Sequence, residues 1–403
     1  MKIAIITTDY HPMMSSAAVQ LRDLAIEFAR LGHEPYLLVP AEGQQAAWVQ
    51  DEVDGIPVLR LKTLRMKNMS QFRRGMGEAF MPFYMLWGLW RSPVHATGWD
   101  AVVWYSPSAF FGPLIAVLKR RSSARTYLIL RDMFPEWLRD LGLLKPGLVY
   151  EAFRAVAKFQ YTLADAIGVQ TQSNLAYLEH WRQRSGRRLE VLQNWLSEPP
   201  RAFCGIDLDG TKLKGRTILV YIGNMGVAQG LCLLFELVRD LRDSVEFGFV
   251  FVGRGSEVSR LRAMIETEQL TNALLYDEID SAAIPSLLAQ CHVGLLSLDV
   301  RHRSHNIPGK FLSYIRSGLP VLARINPETD LQELILKEDV GCTYSGESIL
   351  KFKEIALAMA ANGERCAAMS RNGRALWARM FSTASAAGQI LNGVSRLATE
   401  ASR

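Results

Sequence analysis

Long apolar runs and patterned cysteines are both missing from this sequence. No apolar stretch reaches the roughly 20 residues that a membrane-spanning helix needs, so no spanning helix is expected. The five cysteines, Cys204, Cys232, Cys291, Cys342 and Cys366, are odd in number, scattered and without metal-ligand spacing. That argues against a zinc site and for a reducing compartment. Met1-Lys2 leads straight into Ile3-Ala4-Ile5-Ile6 with no small-residue cleavage site, so no secretory signal is expected. Low-complexity tracts and short-period repeats are also absent.

What is present is a chain able to build cores. Of its 403 residues 49% are apolar and 21% charged, which excludes a disordered type and fits two domains better than one. The net charge of +6 suits an anionic partner, whether nucleic acid, membrane surface or phosphorylated substrate. The plainer alternative is a mildly basic soluble protein.

Apolar strands alternate with helical periodicity along the first half. Lys2–Thr7 reads as a strand ending in Thr8-Asp9-Tyr10-His11-Pro12, followed by a helix from about Ala17 to Leu31 and a strand at Pro35–Val39. Ala101–Trp104, Thr126–Leu130, Ala166–Gln170 and Glu190–Gln193 are further strands, with helices at Leu114–Lys119 and Phe153–Leu163. Ser197–Gly215 has two adjacent prolines and little periodicity, so a linker is expected there. The pattern then restarts with strands at Ile218–Ile222, Phe247–Val252, Ala273–Tyr276, Val293–Leu296 and Pro320–Ala323. Repeated βα units imply an α/β fold with two doubly wound parallel sheets: residues 1–196, a linker at 197–215, and residues 216–381. A C-terminal helix over about 382–403 is expected to pack back on the first domain. Ligand would lie in a cleft between the carboxyl ends of the two sheets.

Four stretches carry candidate chemistry. Ile218–Gly230 passes from a strand into a loop with three glycines and on to a helix start, an arrangement that offers backbone N–H groups to a phosphate. Its plainer reading is a tight connection without ligand. Val252-Gly253-Arg254-Gly255-Ser256 repeats the strand, loop, helix pattern, either to let a nucleotide approach or only to turn. Arg301-His302-Arg303-Ser304-His305-Asn306-Ile307-Pro308-Gly309-Lys310 places five potential cations before an apolar helix. Cations at a helix N-terminus oppose its dipole, so a bound diphosphate explains them better than a solvated loop does. Arg131-Asp132-Met133-Phe134-Pro135-Glu136-Trp137 sets two acids beside aromatic rings, for sugar hydroxyls or base catalysis, or for capping by Asp132 with Glu136 in the first turn. Separately, Leu61–Trp90 runs from Lys62, Arg65, Lys67, Arg73 and Arg74 into Phe80, Met81, Phe83, Tyr84, Met85, Trp87 and Trp90, which reads as an interfacial membrane element rather than a core helix.

In this order and spacing the motifs resemble the GT-B glycosyltransferases of family 4, in particular the branch that builds bacterial surface polysaccharides, such as the fucosamine transferases of O-antigen assembly. The likeness covers nearly the whole chain. It rests on Tyr10-His11-Pro12, Leu31-Gly32-His33-Glu34, Arg131-Asp132 with Pro135-Glu136, Gln193-Asn194-Trp195, the 223–230 turn, Val252-Gly253-x-Gly255, Pro308-x-Lys310-Phe311 with Tyr314, and Gly318-x-Pro320-Val321.

The resemblance implies two Rossmann-like domains facing a central cleft, a nucleotide-sugar donor on the second and an acceptor on the first. Transfer would be hexosyl or N-acetylhexosaminyl, with retention of configuration and without metal or other cofactor. Lys310 matches the family lysine at the leaving diphosphate, with Arg254, Arg301 or Arg303 assisting. Gly223, Asn224, Gly226, Gln229 and Gly253 would border the donor, Asp132 or Glu136 would act from the opposite domain, and Tyr10, His11 and Ser15 would lie on the acceptor side. Many members carry two glutamates eight positions apart near this helix; here those places hold His305 and Ser313. Ser313 can bond a hydroxyl but has no charged, bidentate grip on a ribose. Glu333 matches a further family acid.

The expected protein is therefore a cytoplasmic enzyme, peripheral on the inner face of the membrane. It would pass a sugar from a UDP donor, or GDP second, to a lipid-linked glycan. The rivals are a UDP-sugar epimerase on the same fold, disfavoured by the Leu61–Trp90 segment, and a non-catalytic scaffold with a degenerate donor site. Nucleic-acid binding ranks below both, because the basic residues gather at loops rather than along one face.

Overall fold

The computed structural model describes residues 1–13, 15–65, 71–106, 108–140, 144–145, 147–182, 187–198, 202–299 and 307–400. The chain divides into two compact units, Met1–Trp195 together with Thr383–Arg403, and Leu196–Ser382.

The first unit is built on eight strands: β1 (Lys2–Ile6), β2 (Glu34–Glu42), β3 (Trp48–Val53), β4 (Ile56–Thr63), β5 (Ala101–Ser106), β6 (Arg125–Leu130), β7 (Ala166–Val169) and β8 (Arg188–Val191). They form one sheet in the order β3-β4-β2-β1-β5-β6-β7-β8, parallel throughout except for the β3–β4 pair. Central strands such as β1 and β5 are almost wholly apolar because helices cover both faces. One face carries Leu114, Ile115, Met81 and Met85; the other carries Leu21, Leu24 and Phe28. The C-terminal helix Thr383–Glu400 joins that second core through Ala386, Ala387, Ile390 and Val394.

Two features depart from the sequence reading. The β3–β4 hairpin was not expected, although its Asp54-Gly55 turn is a strong hairpin signal; both residues have positive φ, 52° and 75°. It shortens the interfacial segment, since Leu61 is a fully buried core residue of β4 and the aromatic helix spans only Gln71–Trp90. Also, β8 lies two residues earlier than Glu190–Gln193, because its register with β7 starts at Ala166↔Arg188 and the chain beyond Val191 turns its carbonyls toward Arg131.

The second unit holds β9 (Thr217–Ile222), β10 (Phe247–Val252), β11 (Ala273–Tyr276), β12 (Val293–Ser297), β13 (Val321–Arg324) and β14 (Gly341–Tyr344), all parallel, in the order β11-β10-β9-β12-β13-β14. Residues 197–215 were expected to be linker. Instead Cys204, Ile206, Leu208 and Leu213 are buried in this unit's core, and Leu208 N donates to Gln290 Oε1 at 2.9 Å. Charged residues in the stretch hid an apolar alternation too short to register as an element. Among the described residues no helix is long and apolar enough to cross a membrane.

Candidate functional site

The carboxyl end of β9 opens into the loop 223–230, which is stitched to the loop after β10. Gly223 N donates to Val252 O at 2.8 Å, Met225 N to Arg254 O at 2.7 Å, and Glu257 N to Met225 O at 2.9 Å. The glycines of the second loop serve this contact. A Cβ on Gly253 would lie 2.0 Å from Gly223 O, and one on Gly255 2.5 Å from Met225 backbone, with φ of +148° and +143°. The approaching partner is thus another loop, and the sequence alternative of a tight structural turn accounts for both glycines. Gly253→Ala is expected to unfold this corner, lowering stability by about 3 kcal/mol or more, measurable as the denaturation midpoint.

Some of the first loop's backbone donors are left over from this stitching. Asn224 is exposed, and neither its N–H nor that of Gly226 has a partner among the described residues. The helix Cys232–Asp240 begins beyond it with no side-chain cap and no acid in its first turn. An uncapped N-terminus of this kind carries partial positive charge.

Beside the loop stands Lys310, in the first turn of the helix Gly309–Ser317, whose N-cap Pro308 also supplies no side-chain cap. Lys310 Nζ donates to Tyr221 Oη at 2.5 Å and Gln229 Oε1 at 3.2 Å, and lies 3.8 Å from the Tyr221 ring centroid. Among the described residues it has no carboxylate partner. Burial without a counter-charge pushes its ammonium down to about 7. Tyr221 Oη in turn donates to Asn224 O at 2.8 Å. Gly223, Asn224, Gly226, Gln229 and Lys310 are thereby gathered at one corner. Tyr221, which sequence reading passed over as one more strand residue, joins them.

The remaining second-unit candidates are less engaged. Arg254 is 79% exposed in its side chain and lies 3.3 Å from Glu278. Ser313 Oγ donates back to Gly309 O at 3.3 Å. Glu333 is exposed in the first turn of the helix Asp330–Lys337, where Thr329, not Glu333, caps Gln332 N. Arg301, Arg303 and His305 lie outside the described residues.

In the first unit, the turns after β1, β5 and β6 meet at the carboxyl end of the sheet. The Tyr105 phenol, pushed up by burial, has Arg131, Asp132 and Asp9 as charged neighbours. Arg131 is buried, donates to Leu192 O at 2.5 Å and Gln193 O at 3.2 Å, and sits 5.3 Å from the Trp195 ring centroid. Asp132 opens to solvent, yet desolvation on its inner side raises its carboxyl above the usual range, partly offset by Arg131. It caps no helix: the short helix Glu136–Asp140 starts after Pro135, so the capping alternative fails for Asp132, while Glu136 does occupy the first turn. Asp9, not singled out from sequence, accepts from Ser15 Oγ at 2.9 Å, and Ser15 Oγ accepts from Ala18 N as the N-cap of the helix Ser16–Arg30. Ser15 is thus committed to structure. Tyr10 is buried in the core that also holds Leu21, Leu24 and Val39, with a shielded hydroxyl. His11 is exposed and its carbonyl accepts from Arg60 Nη2 at 2.9 Å.

No family model matches this chain. The protein WcaI of Escherichia coli (strain K12), named provisionally as a colanic acid biosynthesis glycosyl transferase, is 24% identical over 326 residues, 73% of this chain and 76% of its own. Among solved structures, the sucrose-phosphate synthase of Thermosynechococcus elongatus superposes over 99% of both chains with TM-score 0.67 and 13% identity. HepE of Anabaena, solved in complex with UDP, covers 98% of this chain and 100% of its own at TM-score 0.63 and 14% identity. WaaG, a glycosyltransferase involved in lipopolysaccharide biosynthesis, covers 98% and 99% at TM-score 0.56 and 15% identity. These likenesses show the fold: GT-B, with two Rossmann-like parallel-sheet units; the sequence patterning predicts the two units, and the resemblance implies the GT-B arrangement.

Proposed function

We propose that the chain is a retaining, metal-independent glycosyltransferase of the fucosamine-transferase-like branch, using a UDP-sugar and a lipid-linked glycan acceptor in surface-polysaccharide assembly. Glycosyltransferase function in polysaccharide biosynthesis is supported by the likeness to WcaI, WaaG and UDP-bound HepE. The observation that carries the reading is the half-buried Lys310, an ammonium held by neutral partners beside loop N–H groups and uncapped helix starts. A diphosphate supplies the missing counter-charge, and it is the group that departs when the sugar's anomeric bond breaks. Cationic and N–H donors stabilise that developing charge in the role a metal would otherwise fill. Asp132, its carboxyl raised by desolvation against the opposing pull of buried Arg131, is assigned to sugar hydroxyls in the first unit, with Asp9 nearby.

The acceptor's lipid places the enzyme at the inner face of the cytoplasmic membrane. The helix Gln71–Trp90 supports this, because Met81, Met85 and Leu89 fill the core while Met76, Phe80, Phe83, Trp87 and Trp90 remain 41–61% exposed. Their spacing of four, three, four and three residues makes one stripe, and Arg91 lies 4.4 Å from the Trp87 ring centroid. Lys67 lies outside the described residues, and Arg73 and Arg74 are described in backbone only.

The test is transfer by the full-length protein from UDP- and GDP-sugars to a polyprenyl-diphosphate-linked saccharide. The expected result is turnover with a UDP-sugar, an anomeric centre retained by NMR, and no loss on adding EDTA. Inversion or strict metal dependence would reject the mechanism, and absence of both turnover and UDP binding would reject the function.

A further inference from the structure

The diphosphate reading explains why a cation stands beside the loop but not what fixes it there. Tyr221 is fully buried, and burial pushes its phenol well up, so it keeps its proton. A phenol has one proton to give, and the Asn224 carbonyl at 2.8 Å takes it; Gln229 Oε1 is at 3.4 Å. The oxygen is then left as an acceptor, and Lys310 Nζ meets it at 2.5 Å while resting 3.8 Å from the ring centroid. We propose that Tyr221 is the positioning residue of the anion site, holding the Lys310 ammonium by its oxygen and ring and tying it to the glycine-rich loop through the Asn224 carbonyl. Loop N–H groups and lysine then meet the diphosphate as one unit. This inference rests on the donor-site reading above.

Among the described residues, the charges on elements packed round the Lys310 helix are bonded elsewhere or exposed, and none is an opposing charge on the lysine. Arg374 donates to Ser317 O, Arg379 pairs with Glu338, and Arg324 donates to Leu298 O. Glu364, Arg365 and Arg371 are exposed, and Asp299 sits on the turn whose N–H bonds Ala228 O. Neutral acceptors are therefore what favours the charged lysine. With a ligand-free value of about 7, diphosphate binding at higher pH takes up a proton, and affinity falls as pH rises through 7. Removing the Tyr221 oxygen withdraws one acceptor from the charged form, so the midpoint of that fall moves to lower pH.

The experiment is calorimetric titration of the full chain with UDP and with inorganic pyrophosphate from pH 6 to 8.5. Wild type, Tyr221→Phe and Lys310→Ala are compared, so that the ligands' own titration cancels. Tyr221→Phe is expected to bind both about threefold more weakly at pH 7.5, with the midpoint lowered by roughly half a pH unit, as for losing one hydrogen bond to the charged form. Gln229→Leu removes the second acceptor and is expected to move the midpoint the same way by less; it serves if Tyr221→Phe does not fold. If the midpoint stays put in both variants while Lys310→Ala loses binding, the positioning role is overturned and the donor site stands. A weaker Tyr221→Phe curve with an unmoved midpoint also overturns it, leaving only loop architecture. Failure of wild type to bind either probe overturns the donor-site reading and this inference with it.

Discussion

Lys310→Ala is expected to lower kcat/KM by about 10²- to 10³-fold and to abolish stabilisation by UDP, while leaving the unliganded protein at least as stable as wild type. The opposite signs follow from one fact. Lys310 is desolvated in the ligand-free protein and, among the described residues, its partners are the Tyr221 phenol and ring and the Gln229 amide. A desolvated cation without a counter-charge costs stability, so deleting it relieves the apo fold of that cost, which offsets the loss of some buried methylene surface. The same cation is needed where charge develops on the departing diphosphate, and removing one donor of that kind from a buried site loses about 3 to 4 kcal/mol of transition-state stabilisation. Two measurements check the pair of signs. Thermal melts with and without UDP should show about 2.7 kcal/mol of ligand stabilisation at 100 times Kd in wild type and none in the variant. Initial rates with a UDP-sugar should show the kinetic loss. A variant that keeps its UDP shift would remove Lys310 from the donor site, and a variant that unfolds without ligand would make the lysine structural instead.

That corner of the molecule shows what sequence carries and what it leaves out. The turn at 223–230 is legible because a β-branched strand that stops at glycine has few alternatives, and Lys310 because a basic run before an apolar helix asks for an anion. Tyr221 is not legible. In the sequence it belongs to an unbroken apolar strand, and only the parallel register of β9 with its neighbours and the position of the helix Gly309–Ser317 after β12 bring its hydroxyl onto Lys310. Tyr10 fails in the reverse direction: it lies in a recognisable motif, but its ring belongs to the core and the neighbouring Asp9 faces the charged cluster around Tyr105. The two linked loops fall between these cases. Strand and glycine spacing placed Gly253 and Gly255 correctly, yet their reason, contact with the backbone of Gly223 and Met225, is a tertiary one. The periodic elements follow from local pattern, whereas which side chains face one another is fixed by sheet order, which one sequence encodes only weakly.

The aromatic helix gives the other large effect: Phe83→Glu with Trp87→Glu should cut partitioning of the full-length protein into anionic vesicles by a hundredfold or more, with UDP affinity unchanged. Both residues lie on the exposed stripe, opposite Met81, Met85 and Leu89, so the substitution leaves the core intact. Fully burying such a ring contributes roughly 1.5–3 kcal/mol, and with about half of each still exposed, losing two removes about 1.5–3 kcal/mol even before the glutamates meet an anionic surface, whose repulsion adds to it. Attraction of a basic side chain to such a surface contributes only about 1 kcal/mol, and at 1 M salt it is screened beyond about 3 Å. Arg65 and Arg91 near the helix therefore set preference for anionic lipid, while the rings set retention. Sedimentation with phosphatidylglycerol-containing and pure phosphatidylcholine vesicles separates the two terms. Wild type should bind the anionic vesicles more tightly, lose part of that binding in 1 M salt, and keep the remainder; the double variant should lose nearly all of it in either salt. If high salt alone releases wild type completely, charge rather than the stripe holds the protein. If the double variant sediments as wild type does, the stripe faces something other than lipid, and the membrane assignment falls with it.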